Sequence, residues 1–351
     1  MSTMQAAVLK KPHEVRVEEV ERPVLTEPTD VLLKVDLTAI CGTDLHPYEG
    51  RIELEDDVVL GHEFLGTVEE VGSAVSLFGP GDRAVASCVV NCGTCWSCRK
   101  HDPGRCVGAR IFGLGLTFGS LGGGQAEYVV VPNADIVMRH LPEGCAGGDE
   151  DVLFVGDIMA TGYEAVRRVY QPGDVVAIVG AGPVGLCSAM AANALGASKV
   201  VVVDRVSVRL NEAEAIGAVG VNADEDDPAD AVFDLTDWRG ADVVIDAVGH
   251  ESALLTACGL ARPGGSISIP GAYTEDSIEL PFGDLWLKGI SVHGGVANIV
   301  NHMDETIALI NAGKLNPSRI ISHRMPLSRA EEAYHLFHAR EATKVVLDPR
   351  S

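Results

Sequence analysis

The run Val175-Val-Ala-Ile-Val-Gly-Ala-Gly-Pro-Val-Gly-Leu186 decides the fold of this chain of 351 residues. Its first five residues are apolar and mostly β-branched, which predicts a buried strand over Val175–Val179. Glycines follow with the spacing Gly-x-Gly-x-x-Gly, and the next residues, to Leu195, are uncharged and favour a helix. A glycine-rich turn between a strand and a helix is typical of a unit that binds a dinucleotide.

Each residue of this turn has a mechanical reason to be there. Gly180 permits the tight turn, Gly182 lets the backbone approach a pyrophosphate, and Gly185 allows the helix to pack closely on the strand. Pro183 and Val184 open the helix, whose N-terminus attracts phosphate. A glycine-rich turn that binds no ligand is the alternative.

An acidic residue closes the next predicted strand, Val200–Asp204. Asp204 lies 19 residues after Gly185, the spacing at which a carboxylate accepts hydrogen bonds from the adenosine ribose hydroxyls. The same carboxylate would repel a 2′-phosphate, so NAD is favoured over NADP. Arg205, the next residue, keeps the use of both cofactors open.

The chain changes character along its length. Residues Gln5–Leu153 contain short β-branched strands bounded by turns, whereas strands and helices alternate from Val175 onward. That alternation indicates βαβ units and a parallel sheet, so the fold class is α/β. The tail, with helices expected over Asp304–Gly313 and Ser328–Arg340, is too small to fold alone and should pack on another part of the chain.

Four cysteines, Cys92, Cys95, Cys98 and Cys106, form a Cys-x₂-Cys-x₂-Cys-x₇-Cys run. Thiolates at this spacing can turn back on one ion, which predicts a tetrahedral Zn²⁺ site. Because four protein ligands leave no open position, this zinc should be structural.

A second set of possible ligands is dispersed over three segments: Cys41-Gly-Thr-Asp-Leu-His46, Gly61-His-Glu63 and Gly156-Asp-Ile-Met-Ala-Thr-Gly162. Cysteine, histidine and a carboxylate are the ligand types of a catalytic zinc with one open position. Taken singly, a buried cysteine is usually part of a core and a His-Glu pair is common on surfaces, so these residues alone leave the question open.

The charge of the chain limits its partners. Fifty acidic residues against 27 basic ones give a formal net charge of −23, which disfavours nucleic acids and anionic membranes because both need a basic surface. The excess suits ordinary solubility or a saline cytoplasm, and the run Asp224–Asp230 is interpreted as a solvated loop.

The uncharged segment Val175–Ala197 is interrupted by glycines and a proline and predicts interior structure, not a membrane span. No signal peptide follows Met1, which favours a cytoplasmic location.

With these features in this order, the chain resembles the zinc-dependent medium-chain alcohol dehydrogenase family from end to end. The resemblance is carried by the segments at 41–46, 61–63, 71–75, 80–83 and 180–186, together with the four-cysteine run. Residues Asp157–Gly162 and His293–Gly295 are most similar to the bacterial branch that acts on secondary alcohols, in which an aspartate replaces a cysteine as zinc ligand. The best-known members of that branch lack the structural zinc lobe, which this chain keeps.

The resemblance assigns a catalytic zinc to Cys41, His62 and Asp157, so that two zinc ions per chain are expected. Glu63 would lie beside the metal, able to exchange with bound water. Bound Zn²⁺ lowers the pKa of water from about 15.7 to about 7, and the same effect on an alcohol prepares it for hydride loss.

The resemblance also implies a proton relay, in which Thr43 takes the alcohol proton and His46 passes it to solvent. Arg209 matches a basic residue near the adenosine ribose, and Lys344 matches one that approaches the pyrophosphate. By local alignment a small, mainly apolar substrate site is implied, although simple core packing explains the same residues: Cys88, Val89, Leu114 and Leu116.

The implied fold is a GroES-like β domain (1–161, joined by 295–351) flanking a doubly wound Rossmann domain (162–294), with the active site in the cleft between them. Strands near Leu280–His293 would pair across a homodimer or homotetramer. The first functional hypothesis is an NAD-dependent zinc alcohol dehydrogenase acting on a small primary or secondary alcohol. The alternatives are a polyol or amino-alcohol dehydrogenase, and a regulatory protein that binds nucleotide and zinc without turnover.

Overall fold

The structure is a computed structural model that describes residues 2–52, 54, 57–141, 144, 148–275 and 277–351. The strands in chain order are β1 (Thr3–Lys11), β2 (Glu14–Glu21), β3 (Val31–Ile40), β4 (Val58–Val59), β5 (Glu63–Val71), β6 (Arg83–Ala86), β7 (Val89–Val90), β8 (Arg110–Ile111), β9 (Tyr128–Val131), β10 (Met138–His140), β11 (Val175–Val179), β12 (Lys199–Asp204), β13 (Val219–Asn222), β14 (Ala241–Asp246), β15 (Ala261–Ile269), β16 (Ser291–Gly294), β17 (His323–Pro326) and β18 (Val345–Asp348).

Helices alternate with strands mainly in the second half of the chain. The α-helices in chain order are α1 (Leu45–Tyr48), α2 (Ala134–Val137), α3 (Gly148–Leu153), α4 (Ile158–Arg167), α5 (Pro183–Leu195), α6 (Ser207–Ala215), α7 (Pro228–Asp234), α8 (Glu251–Leu260), α9 (Phe282–Lys288), α10 (Ile299–Asn311) and α11 (Ala330–His338). Short 3₁₀ helices cover Gly42–Asp44, Cys98–Lys100, Pro103–Arg105, Leu116–Phe118, Phe154–Gly156, Pro317–Ile320 and Leu327–Arg329.

The chain divides into two compact units. The first consists of Met1–Asp157 and Asn298–Ser351, and the second of Ile158–Ala297. The sequence-based limits, at 161 and 294, lie a few residues from these divisions. The C-terminal segment therefore belongs to the first unit.

The first unit is built on a seven-stranded sheet. Its strand order is β10-β6-β5-β3-β18-β17, and β9 pairs with β3 in addition. Strand β18 lies between β3 and β17, antiparallel to the first and parallel to the second. The tail that was expected to pack on another part of the chain thus completes this sheet.

Helix α11 shows why the tail packs there. Its buried residues are Ala330, Ala333, Tyr334 and Phe337, which recur at the spacing of one helix face. They join a core cluster that also contains Ile40 and buried residues of β1 and β18.

The second unit is a parallel sheet with strand order β13-β12-β11-β14-β15-β16. All five residues of β11 are buried, as are all six of β14, which fits central strands covered on both faces by helices. The alternating α/β pattern and the parallel sheet confirm the fold class that the sequence indicated.

Two expectations about secondary structure were only partly right. In the segment Leu280–His293 the strand β16 covers only the last three residues, and helix α9 occupies most of the rest. An Asp284–Lys288 ion pair of 2.9 Å spans one turn of that helix, and Gly289 ends it with a φ of +63°. The acidic run 224–230 is not all loop: Asp227 caps α7, accepting hydrogen bonds from the backbone amides of Ala229 and Asp230.

Among the described residues no helix combines the length and apolar character needed to cross a bilayer.

Candidate functional site

Three side chains from distant parts of the sequence converge in a buried pocket of the first unit. The Sγ atom of Cys41 lies 3.2 Å from Oδ2 of Asp157, and Nε2 of His62 lies 3.4 Å from the same oxygen. The ligand atoms of the three residues all lie within 4.8 Å of one another. Zn²⁺ prefers sulphur, imidazole and carboxylate donors, and three protein ligands leave a tetrahedral position free for another molecule. The cluster fits a catalytic zinc.

The pairing of two strands brings the first two ligands together. Strands β3 and β5 are antiparallel, with Ala39 opposite Glu63. Cys41 follows the end of β3 and His62 precedes the start of β5, so both lie at the same end of this antiparallel strand pair.

Asp157 reaches the pocket because its segment passes very close to β6. A Cβ atom on Gly156 would lie 2.1 Å from the carbonyl oxygen of Ala86, a distance that no side chain tolerates. The Gly156 carbonyl also accepts a hydrogen bond of 2.7 Å from the backbone amide of Cys88. Glycine at 156 therefore allows the approach that places Asp157 opposite the other ligands.

The pocket holds more buried acid than buried base. The carboxylates of Asp44, Glu63 and Asp157 are at most 9% exposed, and Lys344 faces them with no exposed surface. Burial, followed by the charges of Asp157 and Glu63, raises the pKa of the Cys41 thiol to about 11. A divalent cation would balance this excess of negative charge, which supports the fit of zinc to the cluster.

Asp44 stands behind His62. Its Oδ1 lies 3.1 Å from Nδ1 of His62, which leaves Nε2 facing Asp157. Its Oδ2 accepts a hydrogen bond of 3.0 Å from the Cys41 backbone amide. Histidines that bind metals usually have their second ring nitrogen held in this way. Burial favours the neutral acid at Asp157, but its contact with His62 holds the pKa of Asp157 below the usual range.

Asp44 and its role were missed by the sequence reasoning. The residue lies within the quoted segment Cys41–His46, three positions after Cys41, so the signal was present. Aspartate at that position is equally common as the cap of a short helix, and here it serves both purposes.

Glu63 and Lys344 form an ion pair in the same pocket. The Lys344 Nζ lies 2.5 Å from Oε2 of Glu63, and strand pairing explains the contact, because Val345 lies opposite Ile40 at the end of β3. Burial raises the pKa of Glu63, and the charge of Lys344 opposes that shift. From the sequence, Lys344 was expected to approach the pyrophosphate. In the structure its ammonium is buried and directed at Glu63, so a phosphate could reach it only if this ion pair opened.

The two residues of the expected proton relay lie on the segment that carries the first ligand. Thr43 belongs to the 3₁₀ helix after Cys41, and its Oγ1 lies 3.9 Å from the Cys41 Sγ. His46 is the second residue of α1 and is half-buried.

The residues expected to line a substrate site do not share one environment. The Sγ of Cys88 lies 3.3 Å from Oδ1 of Asp157, so this thiol borders the ligand pocket. Val89 and Leu114 are core residues, 4% and 0% exposed, whereas Leu116 is 58% exposed.

The four-cysteine run forms a second cluster. The sulphur atoms of Cys92, Cys95, Cys98 and Cys106 all lie within 4.8 Å of one another. The backbone amide of Cys95 donates to the Cys92 sulphur at 3.3 Å, and that of Cys92 donates to the Cys106 sulphur at 3.4 Å. A hydrogen bond with Ser97 and further backbone amides lower the pKa of Cys95 to about 5. Four sulphur donors in this arrangement fit a closed, structural zinc site.

The glycine-rich turn of the second unit has the geometry that its sequence predicts. Gly180 has a φ of +98°, and a Cβ on Gly185 would lie 1.8 Å from the Gly180 carbonyl oxygen. Gly182 caps the N-terminus of α5, of which Pro183 and Val184 are the first residues, and a Cβ there would meet nothing within 4 Å. The space beside Gly182 and the amides at the helix N-terminus suit a phosphate group.

Asp204, the last residue of β12, contacts the backbone of this turn. Its Oδ2 accepts a hydrogen bond of 2.6 Å from the Ala181 amide, and its Oδ1 accepts from the amides of Arg205 and Val206 at 2.7 and 2.9 Å. The Arg205 side chain turns away to an exposed ion pair of 3.2 Å with Asp224.

Arg209 is half-buried in the first turn of α6. It lies on the helix that follows the Asp204 strand, as the sequence indicated.

Comparison with known proteins identifies both halves of the chain. A profile of the alcohol dehydrogenase GroES-like domain matches residues 27–143, and a profile of the zinc-binding dehydrogenase family matches residues 183–312. The alcohol dehydrogenase of Thermus sp. ATN1 has 40% sequence identity and a TM-score of 0.95, over 98% of this chain and 99% of its own.

Two further relatives are named for a polyol substrate and for a bound cofactor. A sorbitol dehydrogenase of Halalkalibacterium halodurans is 31% identical over 92% of this chain and 94% of its own length. An alcohol dehydrogenase of Escherichia coli, solved in complex with NADH, is 28% identical with a TM-score of 0.86, over 99% of this chain and 100% of its own.

Proposed function

Since the chain belongs to the zinc-dependent medium-chain alcohol dehydrogenase family and is an oxidoreductase of that kind, we propose that it interconverts a small alcohol and its aldehyde or ketone with NAD(H) as the hydride carrier. The observation that carries this proposal is the buried convergence of Cys41, His62 and Asp157, which leaves one coordination position open.

Zinc would be held by Cys41, His62 and Asp157, and when bound it acts as a Lewis acid toward an alcohol or carbonyl oxygen. Glu63, beside these ligands, supplies a carboxylate that can approach or leave the metal, while Lys344 holds it. A second zinc, at the four-cysteine cluster, would cross-link its loop and have no chemical part in the reaction.

The residues after Cys41 would move the proton. The Thr43 hydroxyl can accept a proton and donate its own at once, without adding charge to the pocket. His46 follows on α1. The imidazole side chain of histidine generally gains and loses a proton near neutral pH, so His46 suits the release of that proton to solvent.

The second unit would hold the dinucleotide. Phosphate would lie over the amides at Gly182–Gly185, and the Asp204 carboxylate would face the adenosine ribose. A 2′-phosphate would meet that negative charge, and Arg205, already paired with Asp224, does not offset it.

The proposal is tested by a substrate panel and a metal analysis on one preparation. Small primary alcohols, secondary alcohols and polyols are each offered with NAD or NADP, and the formation of reduced cofactor is followed by absorbance. We expect turnover with at least one alcohol and NAD, and two zinc ions per chain. Absence of turnover with every alcohol and carbonyl in a chain loaded with two zinc ions would leave the regulatory alternative.

Oxidation of polyols is the second candidate function, and one relative favours it. The sorbitol dehydrogenase matches nearly the whole chain, so the same panel must compare polyols with simple alcohols. A higher kcat/KM for polyols than for monohydric alcohols of equal length would select this alternative.

We also propose that the protein is a homo-oligomer joined through the edge of the second unit. Strand β16 is the edge strand of the sheet and all four of its residues are exposed. Phe282, Trp286 and Leu287 on α9 are at least 70% exposed, which is unusual for large apolar residues. Light scattering should give the mass of a dimer or tetramer for the native chain and a smaller species for Trp286→Glu; a native monomer would contradict this assembly.

A further inference from the structure

A series of polar contacts extends from His62 to the C-terminal helix. Asp44 Oδ1 lies 3.1 Å from Nδ1 of His62, and Asp44 Oδ2 accepts a hydrogen bond of 3.3 Å from Nε2 of Gln125. The other end of that amide, Oε1, accepts a hydrogen bond of 2.8 Å from the Tyr334 hydroxyl. The series joins a residue beside β5 to helix α11, and Gln125 and Tyr334 are 209 positions apart.

The series is enclosed within the first unit. Asp44, Gln125 and Tyr334 have no exposed surface, and His62 is 2% exposed. Side chains buried to this depth are shielded from bulk solvent, so losing one partner leaves a buried polar group unsatisfied and each member depends on the next.

Each contact also fixes the direction of the next one. Gln125 Nε2 donates to the Ala39 carbonyl at 3.1 Å as well as to Asp44, so its amide can present only the oxygen to Tyr334. Burial raises the pKa of Tyr334 well above its usual value, which keeps its hydroxyl a donor. With Asp44 Oδ2 engaged by Gln125 and by the Cys41 amide, Oδ1 is left to His62.

We propose that Gln125 and Tyr334 are positioning residues for the catalytic metal. They hold the Asp44 carboxylate in place, and Asp44 in turn holds His62 with Nε2 toward the metal. The inference rests on the proposed function in one respect only, which is that zinc binds at Cys41, His62 and Asp157.

Tyr48 supplies a matched control. Its ring stacks on that of Tyr334 with centroids 5.4 Å apart, and the residue is 1% exposed. Its hydroxyl contacts Nδ1 of His335 at 3.2 Å and takes no part in the series to His62. Replacing either tyrosine by phenylalanine removes one hydroxyl from the same core, but only Tyr334→Phe breaks the path to the metal.

The experiment measures zinc affinity by competition with a chromophoric chelator in the native protein, Tyr334→Phe, Gln125→Met, the double variant and Tyr48→Phe. The four-cysteine zinc in each chain serves as an internal reference. We expect Gln125→Met to weaken the Cys41-His62-Asp157 site by up to about tenfold and Tyr334→Phe to weaken it to a smaller degree, because losing the direct partner of a metal-bound histidine typically costs about 10–100-fold in affinity and these residues act through that partner.

The pattern of zinc affinities across the variants distinguishes a positioning role for Gln125 and Tyr334 from a general loss of protein stability. The double variant should bind zinc no more weakly than Gln125→Met, since the Tyr334 hydroxyl acts through that amide. Cobalt placed in the same site should show shifted absorption bands in Tyr334→Phe and Gln125→Met, and native bands in Tyr48→Phe.

Native zinc affinity in Tyr334→Phe, or an equal loss in Tyr48→Phe, would overturn the inference while leaving the proposed function intact. The proposed site itself is tested separately with Cys41→Ser: if that variant retained both zinc ions with native affinity, the zinc would not be bound by Cys41, His62 and Asp157 at all.

Discussion

The Lys344 ammonium lies 2.5 Å from the Glu63 carboxylate, and neither side chain has any exposed surface. Removing one member of a buried ion pair leaves an uncompensated charge, which typically costs about 3–5 kcal/mol. We expect Lys344→Met to lower the free energy of unfolding of the zinc-loaded protein by about that amount. Urea denaturation, with zinc content measured on the same samples, checks the value.

The double variant Lys344→Met, Glu63→Leu is the control for this prediction. Replacing a buried ion pair with apolar residues of similar volume is often neutral, so the double variant should be more stable than Lys344→Met alone. If the double variant lost as much free energy of unfolding as Lys344→Met and Glu63→Leu together, each measured singly, the two charges would not interact.

Two glycines of the dinucleotide turn should respond differently to the same substitution. Gly185→Ala forces a Cβ to within 1.8 Å of the Gly180 carbonyl oxygen, so it should lower the melting temperature and weaken NAD binding together. Gly182→Ala meets nothing within 4 Å, so it should leave the melting temperature unchanged and weaken NAD binding alone. Calorimetric titration and thermal unfolding of both variants check this, and equal melting temperatures for the two would contradict it.

The two cysteine clusters should separate by function. Cys41→Ser removes a ligand of the proposed catalytic zinc and should abolish turnover while the fold, followed by circular dichroism, stays native. Cys95→Ser opens the four-cysteine loop and should chiefly reduce stability or assembly. Zinc analysis should find about one ion per chain in each variant, and the reverse assignment of effects would mean that the two sites have been exchanged.

Asp204 should decide between the two nicotinamide cofactors. Asp204→Asn removes the charge that a 2′-phosphate would meet, and its one remaining oxygen can accept either from the Ala181 amide or from the amides of Arg205 and Val206. We expect the ratio of kcat/KM for NADP to that for NAD to rise about tenfold, which corresponds to about 1.4 kcal/mol.

Arg205→Ala is the matched control for Asp204→Asn. Its guanidinium is paired with Asp224 and exposed, so its loss should change the cofactor ratio little. A larger change in the ratio from Arg205→Ala than from Asp204→Asn would show that the basic residue governs cofactor choice.

The fold class and the family could be predicted from the sequence because their signals are local. The turn at Gly180–Gly185 needs only its own residues and the strand before it, and the run from Cys92 to Cys106 lies within one loop. Both patterns keep their meaning wherever the segment lies in the molecule.

The surroundings of the proposed zinc ligands could not be predicted in the same way. Lys344 contacts Glu63 only because β18 enters the sheet beside β3, and Tyr334 reaches Gln125 only because α11 packs on the same core. These contacts depend on strand order and helix packing across more than two hundred residues. In a single sequence, nothing distinguishes the buried Lys344 from a surface lysine, or Tyr334 from a tyrosine that serves only to fill the core.

The position of β18 has a consequence for how the protein is made. The strand lies between β3 and β17, yet the whole second unit separates it from β3 in the chain. A growing polypeptide can complete its contiguous parallel sheet first, while the unit that began earlier still lacks an inner strand, the lysine beside Glu63 and the tyrosine that anchors Gln125. A segment translated after the second unit thus completes the first unit, and the proposed metal pocket matures only after translation has passed residue 348.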